Sequence, residues 1–418
     1  VNAAEPRPTV LVLTGYDLEA VPVVEWLTDR FDVLLIASRN AAGSRHGALA
    51  RAVRACTDWA WIDDVFDNWR TVEQARLWHE KHHIDHVVCL DEFGLITAAH
   101  LRRILGVSSG QQLWSALAHR HKPTMYEAVA DHVRVPAWRT AGSAFDVTEA
   151  VDELGFPVVV KPSDGAASVD THILRDSAEL ATWLRDRPVS WPAPLIVQRC
   201  VTGAMYHLDG LSVDGTAYAT TVSAYGAHPG GHRDDRHLTS MMLAADDPVA
   251  TALREQLDRV VRALPPTGGS SFHAEFFVTD QGEVEFCEIA SRTGGSGIRK
   301  AVQAATGVHL VRAHALLQCG LGLDDAAPGA DTARQQRRTG WFIQYAAPGR
   351  LLAVPEHCDV QGVTDYRTTV PPGRVSTGTG SSIDAVQQFI VEAIDDDAFA
   401  ETYRAISDWC DRHRLATP

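Results

Sequence analysis

Residues 271–298, SFHAEFFVTDQGEVEFCEIASRTGGSGI, leave few folds open. Two β-prone runs flank Gln281-Gly282, and glycine takes a positive φ without steric cost. The stretch therefore predicts an antiparallel hairpin with a two-residue turn. In that register Asp280 opposes Glu283, Phe277 opposes Phe286, and Glu275 opposes Glu288. Like charges facing each other across a ladder repel. A hard divalent cation between them removes the cost, and Mg²⁺ is commonly held by one or two carboxylates plus substrate phosphates. The plain alternative is a pair of solvated glutamates with no common task. A three-residue turn would slip the ladder and set Glu275 against Cys287.

A second stretch asks for an anion. In GFPVVVKPSDGAASVDTHIL (155–174) an apolar strand delivers Lys161 into a loop of small residues. An ammonium closing a buried strand needs an anionic partner. A loop of Ser, Asp, Gly and Ala lets backbone N–H groups come close to a ligand. Arg292 and TGGSG follow the second glutamate, and a guanidinium next to exposed amides suits charge developing on a transferred phosphoryl group. A surface arginine and an ordinary turn are the bland reading of the same residues.

The 418 residues suffice for two or three domains. With 38 basic against 53 acidic residues the formal charge is −15, which opposes unspecific binding to nucleic acid or anionic membranes. No apolar run reaches the length of a membrane span. The start, VNAAEPRPTVLVLTG, lacks the basic and apolar regions of a signal peptide. The seven cysteines stand singly with no CxxC, as expected of free thiols in a reducing cytoplasm. The expectation is a cytoplasmic protein acting on small molecules.

Strands at 9–14, 33–37 and 86–91, with a helix over 18–30, predict a parallel α/β layer. One glycine after the first strand is too few for a dinucleotide fingerprint. Lys122-Pro123 starts a helix, 206–226 is a hairpin turning at Asp214-Gly215, and 247–263 is helical. Residues beyond 320 read as a linker, and 339–418 as a separate β-rich unit closed by a helix over about 383–413.

Taken together, Lys122 in HKPTMYEAV, Lys161 in VVVKP, the loop 163–170, LIVQRCVTG (195–203) and HAEFF…CEIASRTGG resemble the ATP-grasp superfamily over about residues 90–310. EIASRTGG and GWFIQYAAPGRL are closest to the subgroup of bacterial L-amino-acid ligases, carboxylate–amine ligases that join small acids and amines through an acyl phosphate. The resemblance implies an α/β (α+β) fold: an N-terminal parallel α/β domain (1–115), a grasp N-lobe (116–200) with its lid subdomain at about 140–200, a C-lobe (201–325) and a β-rich C-terminal extension (335–418). It further implies ATP and Mg²⁺ as cofactors. Lys122, Lys161 and Ser168 would serve the phosphates, with Gln198, Arg199, Cys200 and Val201 on the adenine. Glu275 and Glu288 would hold the metal, Arg292 would be catalytic, and Gly294, Gly295 and Ser296 would face the substrate. Met205 stands where the family usually has an acidic residue, and Ala290 where it commonly has asparagine.

Other features keep two readings. AYGAHPGGHRDDRHLTS (224–240) is a solvated loop or a loop bringing Arg233 and His237 to substrate; its spacing matches no strong zinc pattern. His273 either orients a metal ligand or is a structural histidine. Asp91-Glu92 follow a strand end and either recognise a substrate amine or have no role in the site. The tail could line the pocket or form a homodimer interface. A carboxylase activating bicarbonate and a non-catalytic nucleotide sensor are the rival functions.

Overall fold

The computed structural model describes residues 7–38, 41, 46–187, 194–226, 237–332, 335, 337–352, 354–368, 373–376 and 385–413. Among these the strands form three larger sheets and a two-stranded ribbon.

The N-terminal sheet is parallel, in the spatial order Asp58–Trp61, Asp32–Ala37, Thr9–Thr14, Ile84–Cys89. Thr9–Thr14 is buried throughout, as a strand covered on both faces must be. The edge strand Asp58–Trp61 went unpredicted, being short and only half buried. The helix expected over 18–30 shortens to Val23–Leu27.

The second sheet, over the stretch expected to form a lid, is antiparallel, ordered Trp138–Ala141, Leu195–Arg199, Val158–Pro162, His172–Leu174. Val158, Val160, Leu195 and Val197 face helices Ala144–Leu154 and Ser177–Arg185 in a small core of their own. The opposite face carries Val159 against Gln198 and Lys161 against Ile196. Strand alternation thus sorts the lid into an apolar back and a front that bears a cation.

The central sheet is antiparallel and runs Val284–Ala290, Ser270–Val278, Ala204–Val213, Thr216–Tyr225, His237–Met242, Thr339–Tyr345, Ala385–Glu392, Val363–Thr368. Asp214 and Gly215 both have positive φ at the tip of the 204–225 hairpin, as predicted. Helix Pro248–Ala263 and helix Lys122–Val129 cover one face through Leu253, Leu257, Val260, Tyr126, Phe272, Phe276 and Phe286. The tail is not a layer apart: Thr339–Tyr345 pairs with His237–Met242 and prolongs the sheet. Residues 385–392, expected in a helix, form a strand flanked on both sides, because AVQQFIVE buries residues on both faces there. The closing helix is Asp396–Arg412, packed through Phe399, Ile406 and Trp409 onto Phe342 and Phe389. Within the supposed linker, Ala326, Ala327 and Ala330 are core residues.

Candidate active site

The acidic hairpin closes differently from the expectation, yet the two glutamates still meet. Gly282 N–H donates to the Thr279 carbonyl at 2.8 Å and Thr279 N–H to Glu283 at 2.9 Å, which makes a three-residue loop ending on Gly282 at φ +79. The ladder near the turn is therefore slipped by one: Phe277 opposes Glu285 and Phe276 opposes Phe286. A β-bulge at Cys287 restores the count, so Glu275 opposes Glu288. The bulge also sets Cys287 and Glu288 on the same side. Cys287 packs with Val201, Met205 and Phe277, while Glu288 meets Lys122.

Each glutamate has its own means of staying charged. Burial disfavours the Glu288 carboxylate, but Lys122 Nζ at 3.2 Å and then Lys161 hold its carboxyl well below the usual range. Burial likewise opposes ionisation of Glu275, and His273 with the Tyr225 hydroxyl at 2.8 Å outweighs it. Two ionised carboxylates facing each other across a ladder are a hard-oxygen donor set suited to Mg²⁺.

Lys122 and Lys161 are both buried. Lys122 opens its helix beside Pro123, its N–H donates to the Ser163 carbonyl at 2.8 Å, and its Nζ donates to the Gly165 carbonyl at 2.7 Å. The small-residue loop thus lies against Lys122. Ala167, Ser168 and Asp170 have positive φ, and Asp170 is clamped by Arg187 through two 2.7 Å bonds.

On the hinge, Gln198 shares the lid face with Lys161. Arg199 turns its side chain onto Glu285, and its N–H donates to the Ala137 carbonyl at 2.9 Å. Cys200 N–H is spent on Pro157. Val201 and Met205 form an apolar wall with Phe277 and Cys287. Met205, the departure from the family's acidic residue, is therefore a core side chain here.

Arg292 pairs with Glu92, whose other oxygen takes Arg120 at 2.7 Å; Arg120 also reaches the Asp164 carbonyl at 2.6 Å. Burial works against the charge on Glu92, and Arg292 and Arg120 overcome it. Asp91 beside it lies at the carboxyl end of the parallel sheet, within 3.4 Å of Thr14 Oγ1 and Gly15 N. Burial pushes its carboxyl up to about 7. Gly294, Gly295 and Ser296 lead into helix Ile298–Thr306; a Cβ on Gly294 would meet Asp209 Oδ1 at 2.8 Å and His273 Nδ1 at 3.0 Å.

Not every expected residue converges. His237 stacks on Phe342, on the sheet face opposite Ser240, and strand alternation turns it away from the glutamates. Arg233 lies outside the described residues. Conversely, sequence reasoning passed over Asp209, which accepts from His207 at 2.6 Å and faces His273 at 2.9 Å; His207 also meets Ser240 at 2.6 Å. His207 and Asp209 in YHLDG are two apart, so one strand face was their only signal. One ligand atom from each of His207, Asp209 and His273 lies within 4.8 Å of the others. The close His–Asp distances are those of hydrogen bonds, and the cluster reads as a clasp behind Glu275. Asp209 settles the protonation of His273, which burial lowers but Asp209 and Glu275 raise to about 9. Trp341, from the tail, packs against Tyr225 and His207 on this face.

No family profile matches the sequence. The L-arginine-specific L-amino acid ligase of Bacillus subtilis is 26% identical over 237 residues, 54% of this chain and 55% of that protein. The carbamoyl phosphate synthase large chain of Bifidobacterium animalis subsp. lactis is 24% identical over 265 residues, 61% of this chain and 22% of that one. The match to the first of these spans about half of the relative's length. Among solved structures, the L-amino acid ligase from Bacillus licheniformis superposes with a TM-score of 0.77 at 16% identity, covering 97% of this chain and 98% of that one. The N5-carboxyaminoimidazole ribonucleotide synthetase from Thermotoga maritima reaches 0.69 at 16% identity, covering 98% and 100%. Among the described residues no helix is long and apolar enough to cross a membrane.

Proposed function

From the ATP-grasp fold these likenesses establish, we propose that the chain is a carboxylate–amine ligase that joins small amino or carboxylic acids through an acyl phosphate. The observation that carries this reading is the pair Glu275–Glu288, set opposite each other by the bulge and backed by two buried lysines. Such a set fits a triphosphate with Mg²⁺, and poorly suits a nucleophilic enzyme.

Lys122 and Lys161 would exchange Glu288 and loop carbonyls for phosphate oxygens, charge for charge. Mg²⁺ held by Glu275 and Glu288 would neutralise the phosphates. A substrate carboxylate oxygen attacks the γ-phosphorus and ADP leaves; the amine nitrogen then attacks the acyl carbon and phosphate leaves. Neither step needs a protein nucleophile, only position and charge. Arg292, with the amides near Gly294 and Gly295, would stabilise the oxyanion. Glu92 clamps Arg292 and Arg120 in one place, and Arg120 ties that clamp to the loop at Asp164. Asp91 would receive the ammonium of an amino-acid substrate. The loop over Lys161 would exclude water, which otherwise hydrolyses the acyl phosphate.

The test is phosphate release from ATP and Mg²⁺ over pairs of amino acids, with mass spectrometry of products. An amide product that disappears in Arg292→Lys supports the reading. Bicarbonate-dependent ADP release with no amino acid present, or ATP binding with no release over the whole panel, overturns it.

A further inference from the structure

Tyr126 is fully buried, four residues after Lys122, and burial raises its hydroxyl pKa well above the usual value, so the phenol keeps its proton. That hydroxyl has two neighbours: the Cys287 backbone carbonyl at 2.8 Å and one end of the Gln198 carboxamide at 3.2 Å. A phenol owns a single proton, and a backbone carbonyl can only accept. The shorter contact therefore takes the proton, and the phenol oxygen is left as an acceptor toward Gln198. The two ends of a carboxamide are alike in shape, and their hydrogen bonds decide which is which. The end of Gln198 that faces Tyr126 must then be its NH₂ group, and its carbonyl oxygen faces the other way. Among the described residues that other end has no partner, and Gln198 lies on the lid face that bears Lys161.

We infer that Tyr126 is a positioning residue for nucleobase choice: by occupying the NH₂ of Gln198 it presents the carboxamide oxygen to the base pocket, as an acceptor for an exocyclic amine. Adenine offers such an amine. Guanine offers an oxygen at the same place and would meet the Gln198 oxygen with no hydrogen between them. The Cys287 carbonyl takes part because the bulge directs it at Tyr126, so the device that aligns the glutamates also sets the base reader. This inference rests on the proposed nucleotide site.

The experiment is titration of ADP and GDP, followed by turnover with ATP and GTP, in the full chain. Wild type should prefer ADP. Tyr126→Phe frees the carboxamide to rotate, and the ADP/GDP preference should fall about tenfold, the worth of one satisfied against one frustrated hydrogen bond. Gln198→Glu presents an oxygen whichever way it turns, so Tyr126→Phe/Gln198→Glu should regain the preference. An unchanged preference in Tyr126→Phe, or a loss that the double variant does not restore, overturns the inference. Should Tyr126→Phe not fold, a crystal structure of wild type with ADP decides: the Gln198 carboxamide within hydrogen-bond reach of both the adenine amine and Tyr126 supports it, and its absence from the base refutes it. Failure of wild type to bind ADP at all would defeat the proposed function itself, a different result from a lost preference.

Discussion

Removing the charge of Glu288 without its volume, as Glu288→Gln, isolates the electrostatics of the site. Its carboxylate lies 3.2 Å from Lys122 Nζ, with Lys161 also nearby, and both lysines are more than nine-tenths buried. At that separation and an effective dielectric of about 20 the attraction is about 5 kcal/mol, part of which offsets desolvation. Taking one partner from a fully buried pair costs about 3–5 kcal/mol because the other charge is stranded, and the lower end applies here since the Glu288 side chain is 29% exposed. A loss of about 3 kcal/mol in a cooperative unit of about 200 residues lowers Tm by about 7 °C. ATP without Mg²⁺ should then stabilise the variant more than wild type, since its phosphates give the stranded lysines an anion. The further increment that Mg²⁺ adds in wild type should vanish. Differential scanning fluorimetry with EDTA, ATP, and ATP plus Mg²⁺ reads all three. A variant that melts within about 1 °C of wild type would refute the reasoning, as would one that keeps the Mg²⁺ increment.

Asp91→Asn should raise Tm at pH 8, because an acid lifted from 3.8 to about 7 must ionise at a cost, which grows from about pH 4 and is complete above pH 7. The three-unit shift sets an upper limit of about 4 kcal/mol; a lower Tm at pH 8 would contradict this, and KM for the amino-acid substrate should rise in the same variant. Gly294→Ala brings a methyl against Asp209 and His273 and should cost about 1–3 kcal/mol with most of the activity, read by urea unfolding and phosphate release. His119 and His314 are buried and lowered by that burial to about 4 and about 3, so the stability they support is present above pH 6.5 and drains as pH falls toward those values. His314→Gln should shrink the difference in unfolding free energy between pH 7 and pH 5 by about 2 kcal/mol, and an unchanged difference would show that His314 titrates freely.

Much of this protein is decided locally, by residue type and spacing. A buried apolar run forces strand Thr9–Thr14, an Asp-Gly pair with positive φ forces the 204–225 hairpin, and an apolar strand ending in lysine forces a charged front on the lid. The order of Lys122, Lys161, Glu275, Glu288 and Arg292 was equally legible, because each needs only its own short neighbourhood. The hairpin turn was read one residue short, and the bulge at Cys287 compensated; nothing in the run EVEFCEI says where a strand will bulge, since the bulge is chosen by what packs on either side. The tail became part of the central sheet for the same reason: strand pairing across a hundred residues has no local signature. Asp209 joined the site, and His237 left it, through the face that each strand turned toward the glutamates. Side-chain chemistry is a property of the chain, whereas the side of a sheet on which it appears is set by register, and register is settled only when the strands meet.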